Sequence, residues 1–438
     1  MVFHKSPRGR AEEYAERILR RHGVSPEFGF LGEHDPLVEI PEKKRGAFQA
    51  HLTLGKEMPD LVFLGGNVYH RRVLELPMIS PAAVRLLSHE TLLRLAVTIS
   101  FLVQAYVWQN RRLPRKVLPV QLAAPMYVVA RTLDVAPLLI YQFYTLANWE
   151  RIASGRPIAV ENVRMIQNFN SASVPLRRSS EEWFVAIHIE IERRAGEALK
   201  HAFMVDHALQ SGNREVIGAS LGQIERTLKT MTAVLLRMNE GCDPDIYYEY
   251  VRPYLFGWFN VEGGVIYEGV PELFGGGQLW RGQTGAQSSI APLLDTLLSI
   301  LHDDPKLSEH LRIMLRHHTP KNHRRLIAAL SPREIRKERW AKLLQTDDEI
   351  SERYRKVRRA FADFRRQHYD HALLYIAKPA RREHEAMRLS GEAVIPGTGG
   401  SDLIRSLKLH IAETLYPDER ESGMKEYEEH WKELYHSS

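Results

Sequence analysis

Cysteine is nearly missing from this chain: Cys242 is the one thiol among 438 residues. A single cysteine excludes an intramolecular disulfide framework and fits a reducing compartment. Beside Asp243 and Pro244 it reads as a packing residue rather than a thiolate ligand. Strand signals are almost as scarce, since alternating polarity hardly occurs and Pro and Gly punctuate stretches of helical period instead. The most apolar early run, 92–108, is interrupted by Arg94 and Gln104, which makes it a buried helix rather than a membrane span. The N-terminal stretch MVFHKSPRGRAEEYAERIL is polar and has no apolar signal core, so a cytoplasmic protein with no membrane partner is expected. An excess of one charge is missing too: 60 Lys and Arg face 54 Asp and Glu, interleaved along presumed helices. No aromatic-studded basic stripe appears, and a nucleic-acid partner is excluded on that ground. The glycine loops FGGGQLWRGQTGAQSS and PGTGGSD lack both the GxxxxGK[ST] arrangement and a strand–loop–helix setting, which excludes a phosphate loop.

What is present is helix. The length favours two domains, and 44% hydrophobic with 26% charged residues marks an ordinary soluble globular chain. Apolar residues recur at helical period over 12–21, 48–57, 80–107, 119–133 and 137–149. They do so again over 181–210, 213–239, 245–254, 288–301, 307–315, 320–330, 355–376 and 402–415. Between 158 and 178 the sequence turns polar and loses its period. The expected architecture is all-α with two domains: a small, mainly helical one at 1–170, a linker at 171–180 and a large helical one at 181–438. The charged stretch 378–396 is a candidate lid, although its length gives no evidence of closure.

Three places carry side chains with chemistry. In 355–376, RKVRRAFADFRRQHYDHALLYI, the residues Phe361, Phe364, His368, Ala372 and Tyr375 share one stripe, which sets a histidine among core residues. A satisfied core histidine is the plain reading. Arg365, one turn earlier, adds a cation beside whatever the imidazole binds, and an imidazole with a guanidinium one turn away suits haem: a nitrogen for iron and a cation for a propionate. In SSEEWFVAIHIEIERRAGEAL, Phe184, His188, Ile191 and Ala195 share a face, so a second histidine points inward. Two inward histidines on separate helices are able to face one planar cofactor from either side. Arg252, in DIYYEYVRPYLFGW, either snorkels to the surface or clamps a carboxylate inside an aromatic pocket. The glycine loops allow close backbone approach to a flat ligand, with Thr284 or Thr398 offering a hydroxyl. His317, His318 and His323, interrupted by Pro320 and without a carboxylate at ligand spacing, read as a solvated helix junction rather than a metal site.

These words of sequence, taken in order, carry a resemblance. EFGFL, AYVWQN with RKVLP, PLLIYQFYTLANW, DPDIYYEYVRPYLFGW, GVIYEG, TGAQSS, RHHTPKNHRRLIAAL, RRQHYDHALLYI and GTGGSDLIRSLK together resemble the indoleamine 2,3-dioxygenase family. The likeness covers most of the chain. It implies an all-helical haem b enzyme, the haem lying between helices of the larger domain, that inserts O2 across the indole C2–C3 bond of L-tryptophan to give N-formylkynurenine. It implies His368 as the iron ligand and Arg365 as partner of a propionate and of Asp295. Arg252 is implied for the substrate carboxylate and Thr398 for its amino-acid end. Tyr141, Phe184 and Tyr247 are implied as walls of the indole pocket, with Thr284 close to the bound oxygen.

The chain also departs from the mammalian pattern of that family. His188 stands where serine is usual, Tyr247 replaces phenylalanine, and Gln283 replaces glycine. His188 on the inward face is expected to accept a hydrogen bond from the indole N–H. A monomer or weak oligomer with a small-molecule indole substrate is expected. Three other readings remain. A haem carrier or gas sensor needs no amino-acid clamp, which Arg252 and GTGGS argue against. A hydrolase with His368, Asp370 and His371 on a metal is disfavoured, because residues two apart on a helix do not face each other. A related haem enzyme acting on a modified tryptophan or other indole in secondary metabolism is the alternative within the class.

Overall fold

In the computed structural model of the protein, residues 6–387, 395–400 and 402–436 are described. Part of the candidate lid, 388–394, lies outside them. Among the described residues the fold is all-α, and strand is confined to two small pairs. Val117–Leu118 lies parallel to Ile266–Tyr267, and Trp149–Arg151 antiparallel to Val163–Met165.

The longest helix, Pro175–Ser211, is the axis of the molecule. Proline at its first turn costs no hydrogen bond, and Gly212 ends it in the left-handed conformation (φ 66°). Asn213 then caps the next helix, Arg214–Leu236, its side chain accepting from the Val216 N–H at 3.0 Å. A two-residue Gly-Asn turn thus folds the two helices back on each other. A third long helix, Asp348–Ala372, packs against this pair and is opened by Asp347, whose carboxylate accepts from the Ile350 N–H at 3.0 Å. Close backbone approach fixes the entry side of the axis: a Cβ at Gly196 would stand 2.7 Å from the Glu27 carbonyl oxygen, so the loop at Glu27–Gly29 packs where no side chain fits.

One large buried cluster runs from Ala11 to Tyr375, taking side chains from both sides of the 171–180 segment. A smaller one, with Tyr369, Leu373, Ile411, Tyr427 and Trp431, lies on the other face of the Asp348–Ala372 helix and attaches the C-terminal helices. The apolar helix His89–Trp108 is long enough to cross a membrane, but 94% of its apolar window is buried inside the fold. Cys242 is buried, as a packing residue is expected to be.

Several local expectations change. The 80–107 run is two helices, Pro81–Arg85 and His89–Trp108, because Ser88 caps the second. In 137–149 only one wide turn forms, Gln142–Leu146, before Trp149 leaves as a strand. Leu138, Leu139 and Ile140 are buried on all sides, and an apolar run without a wet face has no readable period. The helix expected over 181–210 begins earlier, at Pro175. His318 and His323 do not form a solvated junction. Both are buried, His323 meets the Ser289 hydroxyl at 3.0 Å and packs on Phe30, and burial drives both imidazoles down to about 3. Among the described residues no three His, Cys, Asp or Glu side chains are placed to share a metal.

Two buried carboxyls brace the axis. Glu181 accepts from the N–H groups of Phe169 (3.0 Å) and Asn170 (2.9 Å). Glu192 accepts from the hydroxyls of Tyr141 (3.0 Å) and Ser288 (2.7 Å) through one oxygen, while its other oxygen is buried without a partner. Burial raises Glu192 to about 7. A carboxyl raised on folding is favoured protonated in the native state, so its ionisation withdraws stability as pH rises from the ordinary range to about 7. Glu192→Gln is therefore expected to be more stable than wild type by roughly 1–3 kcal/mol at pH 8 and to lose that advantage at pH 5. Urea melts at the two pH values measure this, and an equal difference at both would contradict it.

Candidate active site

Three helices and a backbone strap converge on one cavity. Phe184 and His188 come from the Pro175–Ser211 axis, and His368, His371, Ala372 and Tyr375 come from the end of the third long helix and the wide turn after it. Tyr247 enters from the 244–255 segment, and Gln283, Thr284 and Gly285 from the second glycine loop's predecessor in the chain. Thr398 enters from the strap 395–400. The strap is pinned by its backbone: the Thr398 carbonyl accepts from Gly257 N–H at 3.3 Å and Gly282 N–H at 3.2 Å.

Two of the three histidines, His188 and His371, are held by the same device. His188 Nδ1 lies 2.7 Å from the Phe184 carbonyl oxygen, and His371 Nδ1 lies 2.8 Å from that of Gln367. A carbonyl only accepts, so each Nδ1 carries the proton and each Nε2 keeps its lone pair. His371 Nε2 is buried without a partner. His368 has no protein hydrogen bond among the described residues. Burial, with His188 and His371 nearby, lowers His368 to about 4, and burial also lowers the other two. The cavity therefore receives neutral imidazoles at neutral pH. The Gly285 backbone lies against His368, a Cβ there standing 3.8 Å from Nε2.

Aromatic rings close the wall. Phe184 lies 4.5 Å from the His188 ring and 4.8 Å from Tyr247, and Tyr247 meets Tyr375 edge-on at 5.7 Å. Tyr141 stands behind this wall rather than in it. Its ring is edge-on to His188 at 6.3 Å and its hydroxyl is committed to Glu192.

Arg252 is 5% exposed and pairs with no carboxylate among the described residues. One terminal nitrogen donates to the Pro396 carbonyl at 2.6 Å, Nε has no partner, and the guanidinium lies 4.6 Å from the Phe256 ring. The reading in which this arginine snorkels to the surface is thereby overturned. A buried guanidinium without an anion is a strong attractor for a ligand carboxylate, since its charge is otherwise uncompensated.

Arg365 and Asp295 form a second buried charged pair at 2.7 Å. Burial raises the Asp295 carboxyl, but Arg365 and His302 more than offset that and hold it well below the usual carboxylate range. Arg365 also donates to the Thr414 hydroxyl, and Asp295 keeps one buried oxygen unpartnered. Asp370 turns away from His368 to accept from Trp431 Nε1 at 2.9 Å and Arg366 at 2.8 Å, which removes it from any ligand set with the two histidines.

The sequence pattern missed Glu192, His302 and Glu413. Each takes its meaning from partners that are distant in the chain, and no local spacing signals them. His371 was visible as a second histidine, but its free nitrogen is a property of the fold.

A family model described as indoleamine 2,3-dioxygenase matches residues 18–416. Indoleamine 2,3-dioxygenase 1 of Rattus norvegicus is 28% identical over 409 residues, covering 90% of this chain and 94% of that protein. Indoleamine 2,3-dioxygenase acdA of Aspergillus candidus is 27% identical over 407 residues, covering 89% of this chain and 95% of its own. With the match spanning nearly the whole sequence, the chain belongs to the indoleamine 2,3-dioxygenase family.

Proposed function

We propose that this protein is a haem b dioxygenase that converts L-tryptophan and O2 to N-formylkynurenine, with His368 as the iron ligand. The observation that carries the reading is the convergence of His368 and His188, both neutral, on one aromatic cavity near a buried arginine that lacks an anion. The donor set fits haem: an imidazole without a protein partner, an apolar and aromatic wall, and a buried arginine on the same helix for a propionate.

Arg365 is proposed to grip a propionate, with Asp295 holding its guanidinium. Arg252 binds the substrate carboxylate in two-point fashion, and Thr398 contacts the amino-acid end from the strap. Phe184 and Tyr247 pack on the indole, with Tyr141 behind them, and Thr284 borders the oxygen side. His188 Nε2 accepts the indole N–H and thereby fixes the ring's orientation. Bound haem supplies the activation of O2. The protein's share is proximity, exclusion of water and orientation, and no side chain acts as nucleophile.

A second reading, in which the indole is a modified tryptophan, is favoured by the polar groups Tyr247 and Gln283 on the lining. Assaying ring-hydroxylated and N-methylated tryptophans alongside tryptophan separates the two.

Three outcomes are expected. His368→Ala, with its far-UV spectrum unchanged, fails to develop a Soret band on titration with hemin, and a full band rules out the ligand assignment. Arg252→Ala keeps the haem spectrum but raises KM for tryptophan by about thirtyfold or more, the cost of an unpaired buried carboxylate being roughly 2–5 kcal/mol. Unchanged tryptophan affinity would misplace the clamp. His188→Ser narrows the difference in kcat/KM between tryptophan and 1-methyltryptophan, because the methyl group removes the donor that His188 accepts. Identical ratios in the two proteins would remove that role.

A further inference from the structure

The Arg365–Asp295 pair is one edge of a larger buried network. His302 stands between two carboxylates, with Nε2 3.2 Å from Asp295 Oδ2 and Nδ1 2.7 Å from Glu413 Oε2. All three side chains are 12% exposed or less. Carboxylate oxygens accept, so the geometry sets one acceptor against each ring nitrogen of His302, an arrangement that an imidazolium satisfies with both of its N–H groups. Glu413 is fixed from its other side, Oε1 accepting from the N–H groups of Asp303 (3.0 Å) and Asp304 (3.2 Å). With both ring nitrogens of His302 protonated, the network sets two anions, Asp295 and Glu413, against two cations, Arg365 and His302.

Balance of that kind leaves no spare positive charge for a third carboxylate. A propionate arriving at Arg365 makes the group net negative by one even with His302 protonated, and by two without that proton. In a buried setting each uncompensated charge is costly. We propose that His302 is a positioning residue for the cofactor: its proton is the counter-charge that lets Arg365 serve Asp295 and a haem propionate together, so that haem retention is linked to protonation of His302. The inference rests on reading Arg365 as the propionate partner.

The other groups around His302 do not supply the same charge. His410 meets its ring edge-on at 4.9 Å, and burial holds His410 neutral, well below the usual histidine range. His310 is buried and lowered to about 4. The Asp304 carboxylate is engaged by Arg405 at 3.0 Å. Arg358 is spent on the backbone carbonyls of Glu413, Thr414 and Leu415. By linkage, a ligand anion that favours the imidazolium is itself held more tightly while the imidazolium persists, so haem should be released faster as pH rises.

The test is transfer of hemin from the holoprotein to excess apomyoglobin at about pH 6 and about pH 9, both well clear of His368 protonation. Hemin dimethyl ester, which lacks the propionate charges, is run in parallel. Wild type is expected to release hemin about tenfold faster at the higher pH, one pH unit of coupling being tenfold. His302→Gln should release it at the faster rate at both. Glu413→Gln removes an anion from the same network and should release hemin more slowly than wild type at pH 6, a sign that structural damage does not produce. Faster release from both variants, or a wild-type pH dependence retained in His302→Gln, overturns the inference. Equal retention of hemin and its dimethyl ester by wild type instead overturns the assignment of Arg365.

Discussion

An imidazole can bind a metal or accept a hydrogen bond only through a nitrogen that carries no proton, and in this protein burial is what keeps that nitrogen free. The fold supplies the burial in a particular way. His188 and His371 each spend Nδ1 on the carbonyl one turn earlier in their own helix, so the helix that positions the ring also selects its tautomer. The lone pairs of Nε2 are then left on the cavity side, where three rings gather at the meeting of the axis helix and the Asp348–Ala372 helix. Were the same residues on loops with water at hand, the neutral form would hold less firmly and neither ring would have a fixed direction.

Much of this was legible beforehand because it depends on period. Phe184 and His188, one turn apart, fall on one face by counting, and so do His368, Ala372 and Tyr375. The Gly-Asn turn between the two long helices is similarly a local signal. What period cannot show is a segment buried on all sides, which is why 137–149 read as helix although it forms one turn and then a strand. Nor can it show a charge whose partner is far along the chain. By period alone Arg252 fits a surface or a clamp equally, and only its burial separates them, while the His302 network joins residues more than a hundred positions apart. His318 and His323 read as a solvated junction because Pro320 interrupts them and no carboxylate stands at ligand spacing, yet both turn inward.

Charge is distributed so that two different kinds of buried arginine meet in one protein. Arg365 is compensated by Asp295 and braced by Thr414, whereas Arg252 has only a carbonyl and aromatic faces. The difference fits their proposed partners. A resident cofactor is met by a cation already held in place, while a substrate that must come and go is met by one whose compensation arrives with the ligand. The aromatic faces around Arg252 lower the cost of the empty state without competing for the guanidinium's hydrogen-bonding edge.

The two arginines are also joined by one short length of chain. Pro396 takes the Arg252 hydrogen bond, Thr398 lies on the cavity wall, and from Asp402 the chain enters the helix Leu403–Thr414. That helix is about 18 Å long at the usual rise, and its last turn presents Glu413 to His302 and Thr414 to Arg365. Arg358 ties the same end down through three carbonyls, where a cation also suits the negative end of the helix. Three side chains from outside the helix, His302, Arg365 and Arg358, thus hold its far end. The proposed amino-acid clamp and the proposed propionate clamp are therefore both reached from one short length of chain, Pro396 touching Arg252 and Thr414 touching Arg365.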